Sequence, residues 1–471
     1  MEKLQRNQKY PGKFSIQIDS LKNTSFDAQL YYADKDFIEM EVSYSSSLVE
    51  TVELTNFIEH TFDFYDVQGF IFIGSKKHNI SLLHCSLNSD NWFESFDSKD
   101  KCKNFHKKYI RINIGAYILD AKIDSHSKLC KAEFQFSALS MWADLLKAET
   151  KENKLSVDKK LVWNTTSDNG DELLLKNYFE EEKKNNQISY IQTASLEINF
   201  KEAKTFSDFL DYGRIYNDFF VLMTGRKSDI EKFLLTVENS NKSYEVFVNY
   251  KSCNPEFTEK SYFHFEYLTH NLSALKNWYS SYKNANLAYT LFFDTYHFKE
   301  RYMTDMLLDA LVRSFEGMIT KYFYRNRYFI SRSKNKRITD DIKNEFESKI
   351  ETVLTKYQSE IYKIENYLDK YRQTLLESFS HSYELSFRVR INLFFDMHKE
   401  HFENDFKDYD KNEIIKQMLS FRNAYAHADD SKLSNNNIFT LLRFTKKMIL
   451  VHLYSDILNN KEFYINIKEI L

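Results

Sequence analysis

At 471 residues the chain is long for one domain, taking roughly 100–200 residues per domain, and its 42% hydrophobic and 28% charged content is that of an ordinary globular protein. A formal net charge of −3 excludes a protein that coats polyanions over its whole surface, so any nucleic-acid contact must come from a local patch. Cys85, Cys102, Cys130 and Cys253 form no C-x-x-C pair and fit free thiols in a reducing compartment. The opening residues lack the apolar core of a signal peptide, and no run approaches the roughly 18 apolar residues of a membrane span. A cytoplasmic protein without a membrane partner is therefore expected. The abundance of Phe and Tyr beside scarce Gly and Pro reads as nucleotide bias of an AT-rich genome.

Residues 1–150 are expected to form a β-rich domain. Segment 12–19 alternates, with Phe14, Ile16 and Ile18 on one face. Segments 26–32, 37–44, 69–73, 80–85 and 109–118 are similar short runs rich in Ile, Phe, Tyr and Val. A further strand at 131–137 leads into a short helix at 138–147. Such a succession predicts an antiparallel sheet, sandwich or barrel. A small α+β unit is expected over 151–271. Its segment 188–200 alternates, and 205–224 carries Phe206, Phe209, Leu210, Ile215, Phe219 and Leu222 at helical spacing. Segments 244–250 and 262–268 return to strand character. This half has no Gly-rich phosphate loop, metal-ligand cluster or nucleophile elbow, and His84 beside Cys85 reads as part of a packed strand.

Residues 272–471 are expected to form an all-α bundle, making the whole chain an α+β multidomain protein. Helices are predicted over 272–289, 300–325, 339–356, 358–379, 382–401, 411–427 and 436–459, with a strand-like end at 463–467. In 300–325, Met306, Ala310, Leu311, Phe315, Met318 and Tyr322 form the apolar stripe, which leaves Asp305, Asp309, Arg313 and Glu316 on the polar side. Asp410 and Glu413 form a capping pair for the helix at 411–427. His398 and His401 lack the i, i+4 spacing of a metalloprotease motif and read as a wet helix face. Between two helices stand Arg325, Arg327, Arg332, Lys334, Lys336 and Arg337, interleaved with Tyr324, Tyr328 and Phe329. Cations that hold phosphates and rings that stack on splayed bases suit RNA. A solvated connection has the same composition and is the commoner outcome.

The segment 421–427 reads Phe-Arg-Asn-Ala-Tyr-Ala-His. Arg422 offers a planar fork of donors for a phosphate, and His427 is the side-chain type that moves protons near neutral pH. Together they suggest metal-free RNA cleavage. An Arg followed by a His after four to six residues arises about once by chance in such a chain, so the pair gains weight only from its setting. Ile415, Met418, Leu419 and Arg422 share one side of a helix, and a charge that continues an apolar stripe must be paired or face an interface or cleft. The alternative is an Arg bonded to a neighbouring carboxylate inside the bundle.

This Arg-Asn-x-x-x-His near the end of a helical bundle, preceded by a long helix containing Leu307, Leu311, Phe315 and Glu316, resembles the HEPN superfamily. The alternating opening, the short strands and the 133–142 segment (Glu-Phe-Gln-Phe-Ser-Ala-Leu-Ser-Met-Trp) resemble the N-terminal domain of ApeA-type anti-phage proteins. The resemblance implies a ribonuclease toxin that halts an infected cell by cutting RNA, with tRNA the named candidate, in an abortive-infection response. It implies a homodimer through the C-terminal bundle with the motifs meeting at the interface, and no cofactor. The N-terminal region would sense a phage-encoded trigger or restrain the nuclease. Carried over residue by residue, Arg422 and His427 are the catalytic pair and Asn423 is the polar helper. Glu316 is a fourth candidate, although its place on the polar side also suits a solvated salt-bridge partner. The competing class is a non-catalytic RNA- or nucleotide-binding or assembly module of the same fold.

Overall fold

The structure is a computed structural model. It describes residues 4–5, 8–16, 25–34, 37–44, 64–87, 108–143, 148–151, 154–157, 160–184, 187–240, 242–248, 264–297, 303–325, 332–356, 385–426, 435–460, 463 and 465–470. The chain divides into two compact units, Met1–Ser280 and Ser281–Leu471.

The first unit is built on antiparallel strands. The alternating runs become β1 (Tyr10–Ile16), β2 (Ser25–Asp34), β3 (Phe37–Tyr44), β4 (Tyr65–Ile73) and β5 (Lys76–Leu87). The run at 109–118 divides into β6 (Lys108–Asn113) and β7 (Ala116–Leu119). Strands β5, β4, β1, β2, β3 and β6 pair in that order, and β6 pairs back onto β5 through Ser86↔Asn113 and Leu87↔Ile112. This closes a barrel. The period-two alternation turns Tyr10, Phe14, Leu30, Met40, Val67, Ile71, Leu82 and Ile112 inward, where all are buried. Strands β1 and β4 approach closely at Gly69, where an added Cβ would lie 2.4 Å from the Lys13 carbonyl oxygen.

A broader sheet leaves the barrel through β7. In order it continues with β15 (Ser243–Val248), β14 (Ile230–Val237), β8 (Leu129–Phe136), β13 (Gln187–Lys204), β12 (Glu172–Lys184) and β11 (Leu161–Thr166). Strand β8 pairs with β13 on one side and β14 on the other, so the sheet joins segments 129–136, 187–204 and 230–237. A separate hairpin joins β9 (Ala148–Lys151) and β10 (Lys154–Val157). Helix α1 (Ser137–Trp142) is shorter than expected. Helix α2 (Phe206–Thr224) starts at a capping box formed by Thr205 and Asp208 and ends at Gly225 in the left-handed region. Its Phe209 and Phe220 pack on Phe134 and Phe136 of β8, with ring centroids 5.0 Å apart in each pair.

Two expectations at the edge of this unit are corrected. The described part of 262–268 belongs to helix α3 (Phe265–His270), not a strand. Phe265 and Leu268, one turn apart, are buried together, and Phe265 meets Trp142 and Trp163 edge-on. The single helix expected over 272–289 is two, α4 (Ser273–Asn284) and α5 (Asn286–His297), broken at Ala285 between two asparagines of poor helix propensity.

The second unit is helical. Its central element is α6 (Thr304–Arg325), which buries Leu308, Leu311, Phe315, Met318 and Phe323. Around it stand α5, α8 (Phe387–Met397), α11 (Lys411–Ala426) and α12 (Asn435–Val451). The other helices among the described residues are α7 (Arg332–Lys356), α9 (Lys399–Phe402) and α10 (Asp405–Asp408). Helix α12 runs into a π-helical turn at His452–Ile457. The strand expected at 463–467 is absent among its described residues, and Ile467–Glu469 is a 3-10 turn. The helix expected at 358–379 lies outside the described residues.

Candidate functional site

Asp410 starts the motif helix. Its Oδ1 accepts from the Asn412 and Glu413 amides at 2.7 and 3.4 Å. Glu413 does not return a capping bond there; it binds Gln417 and Lys416 on the outer face. Ile414, Ile415, Met418 and Phe421 are buried, which fixes how α11 is rotated on α6. That rotation brings Arg422 to Glu316 of α6.

Arg422 grips Glu316 through two parallel bonds, Nε to Oε2 and Nη2 to Oε1, each 3.3 Å. Its Nη1 donates to Asn423 Oδ1 at 3.3 Å. A second guanidinium, Arg390 of α8, donates through Nη2 to Glu316 Oε1 at 3.2 Å and through Nη1 to Thr320 Oγ1. Thr320 in turn donates to the Glu316 backbone carbonyl one turn back. One carboxylate is thus shared by two arginines in graded exposure: 11% for the Arg390 side chain, 21% for Glu316 and 41% for Arg422. Tyr425 lies on the same side. Burial, with Asp305 and Asp309 adding to it, raises its hydroxyl above the ordinary tyrosine range. Helix α6 approaches α5 at Gly317, where an added Cβ would lie 2.8 Å from the Ala288 Cβ, and Ser314 Oγ donates to the Ala288 carbonyl at 2.7 Å.

The expected residues are distributed as follows. Arg422, Asn423 and Glu316 come together; Glu316 is a salt-bridge partner, as its place on the polar side suggested, but a partly buried one at 21% side-chain exposure and paired on two sides. His427 lies outside the described residues, immediately after the last residue of α11. Arg327 and Tyr328 also lie outside them. Arg332, Lys334, Lys336 and Arg337 stand on the first turns of α7, so this part of the basic segment is helix and not a loop. Arg325 is the last residue of α6. Of the basic side chains the structure describes only that of Arg337, which is exposed. Nothing in the sequence singles out Arg390. It sits on a helix with no special spacing, and its partners are far away along the chain.

A second polar cluster departs from expectation. His398 and His401 are buried, not on a wet face. Asp456, in the π-helical turn, lies 3.1 Å from His398 Nε2 and 2.8 Å from His452 Nδ1. Burial alone would raise the Asp456 carboxyl, but these two hydrogen bonds hold it well below the usual carboxylate range. Burial pushes His401 below the ordinary imidazole range, and its ring stacks on Phe463 with centroids 4.5 Å apart. Lys447, buried and depressed by that burial, bonds Asp405 at 2.6 Å. Among the described residues no group of three or more His, Cys, Asp or Glu side chains is placed to hold a metal ion. No described helix is long and apolar enough to cross a membrane.

The helical unit is of the HEPN class. Residues 287–462 match the family model for the Apea-like HEPN domain, and residues 9–280 match the model for ApeA N-terminal domain 1. The chain belongs to the ApeA family of anti-phage HEPN proteins, a class of ribonuclease type. Among curated proteins and among solved structures, nothing matches the chain.

Proposed function

We propose that this protein is a metal-independent endoribonuclease of a phage-defence system, cutting RNA, with tRNA the first substrate to try, through Arg422 and His427. The observation that carries the reading is the forked Arg422 at the end of α11, held by Glu316 and beside Asn423, within a chain of HEPN type. RNA supplies its own nucleophile. The 2′-oxygen bonds to phosphorus as the bond to the 5′-oxygen breaks. A neutral imidazole at His427 takes the 2′ proton, or an imidazolium there protonates the leaving oxygen. Arg422 stabilises the extra negative charge of the phosphorane. The products are a 2′,3′-cyclic phosphate and a 5′-hydroxyl. Residues five apart on a helix are rotated by about 140°, so Arg422 and His427 of one chain diverge unless the helix end bends. A homodimer through the helical unit, with the motifs facing, removes the difficulty. The basic residues Arg325 to Arg337 are proposed as flanking phosphate contacts. The first unit would carry the response to a phage-encoded trigger.

A non-catalytic RNA- or nucleotide-binding module is the second reading. It is favoured by one observation: the Arg422 fork is already satisfied by Glu316. Incubating the purified protein with total cellular RNA and mapping the new ends separates the two. Cleavage that persists in EDTA, leaves cyclic phosphates and is lost in His427→Ala without loss of fold is the expected result. His427→Ala cutting at the wild-type rate, or activity abolished by EDTA and restored by Mg²⁺, would overturn the assignment.

A further inference from the structure

We infer that Arg390 is a positioning residue that neutralises Glu316 and thereby leaves the charge of Arg422 available to a phosphate. The inference rests on the RNA-binding part of the function proposed above. Its basis is the balance of charge over observed hydrogen bonds. Glu316 alone against Arg422 is a closed pair with no net charge, and such a pair offers nothing to a polyanion. Arg390 adds a second, permanently protonated guanidinium on the same carboxylate oxygen, Oε1. The three groups together carry one surplus positive charge. Exposure decides where that surplus faces. Arg390 is nearly enclosed, fixed by Thr320 Oγ1 on one arm and Glu316 on the other, whereas Arg422 is the most open of the three.

The arrangement also lowers the cost of releasing Arg422. When a phosphate takes the fork, Glu316 would otherwise be left a partly buried carboxylate without a cation, which is the expensive outcome of breaking such a pair. Arg390 stays behind as its partner. It touches no substrate in this scheme and acts entirely through Glu316.

The test measures binding, so that cleavage plays no part. A 2′-O-methyl RNA oligonucleotide, which has no free 2′-hydroxyl, is titrated with the full-length protein over 50–200 mM salt, and the fold of each variant is checked by circular dichroism. On a single strand, every phosphate that the protein ceases to neutralise lowers the salt slope by about 0.7. Arg422→Ala should lower the slope by that amount and weaken binding. Arg390→Met should do the same, although it is the more buried residue. Arg390→Lys should keep the slope, because it keeps the charge while losing the two-armed geometry. Glu316→Gln should steepen the slope, and the Glu316→Gln, Arg390→Met double variant should return it to the wild-type value. A purely structural role for Arg390 predicts a loss that Glu316→Gln does not repair. That result, or an unchanged slope in Arg390→Met beside a reduced one in Arg422→Ala, would overturn the inference while leaving the RNA site in place. Absence of RNA binding by the wild type, or no effect of Arg422→Ala, would overturn both. If Arg390→Met does not fold, Arg390→Lys and Glu316→Gln decide alone: slopes that fail to hold and to steepen, respectively, reject the proposal.

Discussion

The position of Glu316 depends on a residue with no side chain. Gly317 lets α6 lie against α5 so closely that a Cβ would sit 2.8 Å from the Ala288 Cβ, and the next turn back is tied by the Ser314 hydroxyl to the Ala288 carbonyl. Gly317→Val should therefore push α6 outward, at about 1–3 kcal/mol for overpacking, more than the few tenths that a better helix former returns. The displacement falls one residue from Glu316, so RNA cleavage should fall with it. Thermal unfolding of the single variant, and of a double variant carrying Ala288→Gly, checks the cause, since removing the opposing methyl should return part of the loss. A Gly317→Val protein as stable as the wild type would show that the two helices relax freely. At this scale the sequence is informative in an incomplete way. The position of Arg422 on an apolar stripe demands a partner or an interface, and a carboxylate partner is what the structure holds. Which carboxylate, and that Arg390 would share it, is not legible, because these bonds join three helices and leave no mark on local spacing.

At the scale of elements, local period is a good guide where one face is buried. Alternation locates the barrel strands, and helical spacing locates α2 within one residue of its cap. Closure of the sheet by β5 and β6 is not legible, because it depends on register between distant strands. The cluster at His398, His401, His452 and Asp456 escapes for a related reason. Polar residues on a helix suggest a solvated face, but here the polar groups satisfy one another in the interior. That burial has a pH consequence. His401 sits among His398, Glu400, Lys447 and Asp456, and burial, the largest influence, lowers its pKa in the folded protein. A histidine whose folded pKa is depressed binds fewer protons folded than unfolded, so its contribution is complete above the unfolded value of about 6.5 and is lost as pH falls below it. The wild type should thus lose melting temperature between about pH 7.5 and 5.5 more steeply than His401→Phe, which keeps the ring stack on Phe463 without the titrating nitrogen. Equal slopes in the two proteins would exclude His401 as the sensitive group.

At the scale of the whole molecule the open question is whether one site is built by one chain or two. Arg422 is more exposed than Glu316 and Arg390 and stands in the last turn of α11, and His427 follows the last residue of that helix in the sequence. A two-fold contact uses the same patch on both copies, so packing this helix end against its mate brings Arg422 of one chain beside His427 of the other without any further element. Mixing decides it. Protein carrying Arg422→Ala and protein carrying His427→Ala should each be inactive alone. In a verified mixed dimer, one of the two composite sites keeps both wild-type groups when the pair acts across the interface, and about half of the wild-type activity per dimer should return. When the pair acts within one chain, every site in the mixed dimer lacks one group and no activity returns. The second outcome would remove the dimer from the catalytic scheme. It would then require the chain after Ala426 to bend His427 back over Arg422.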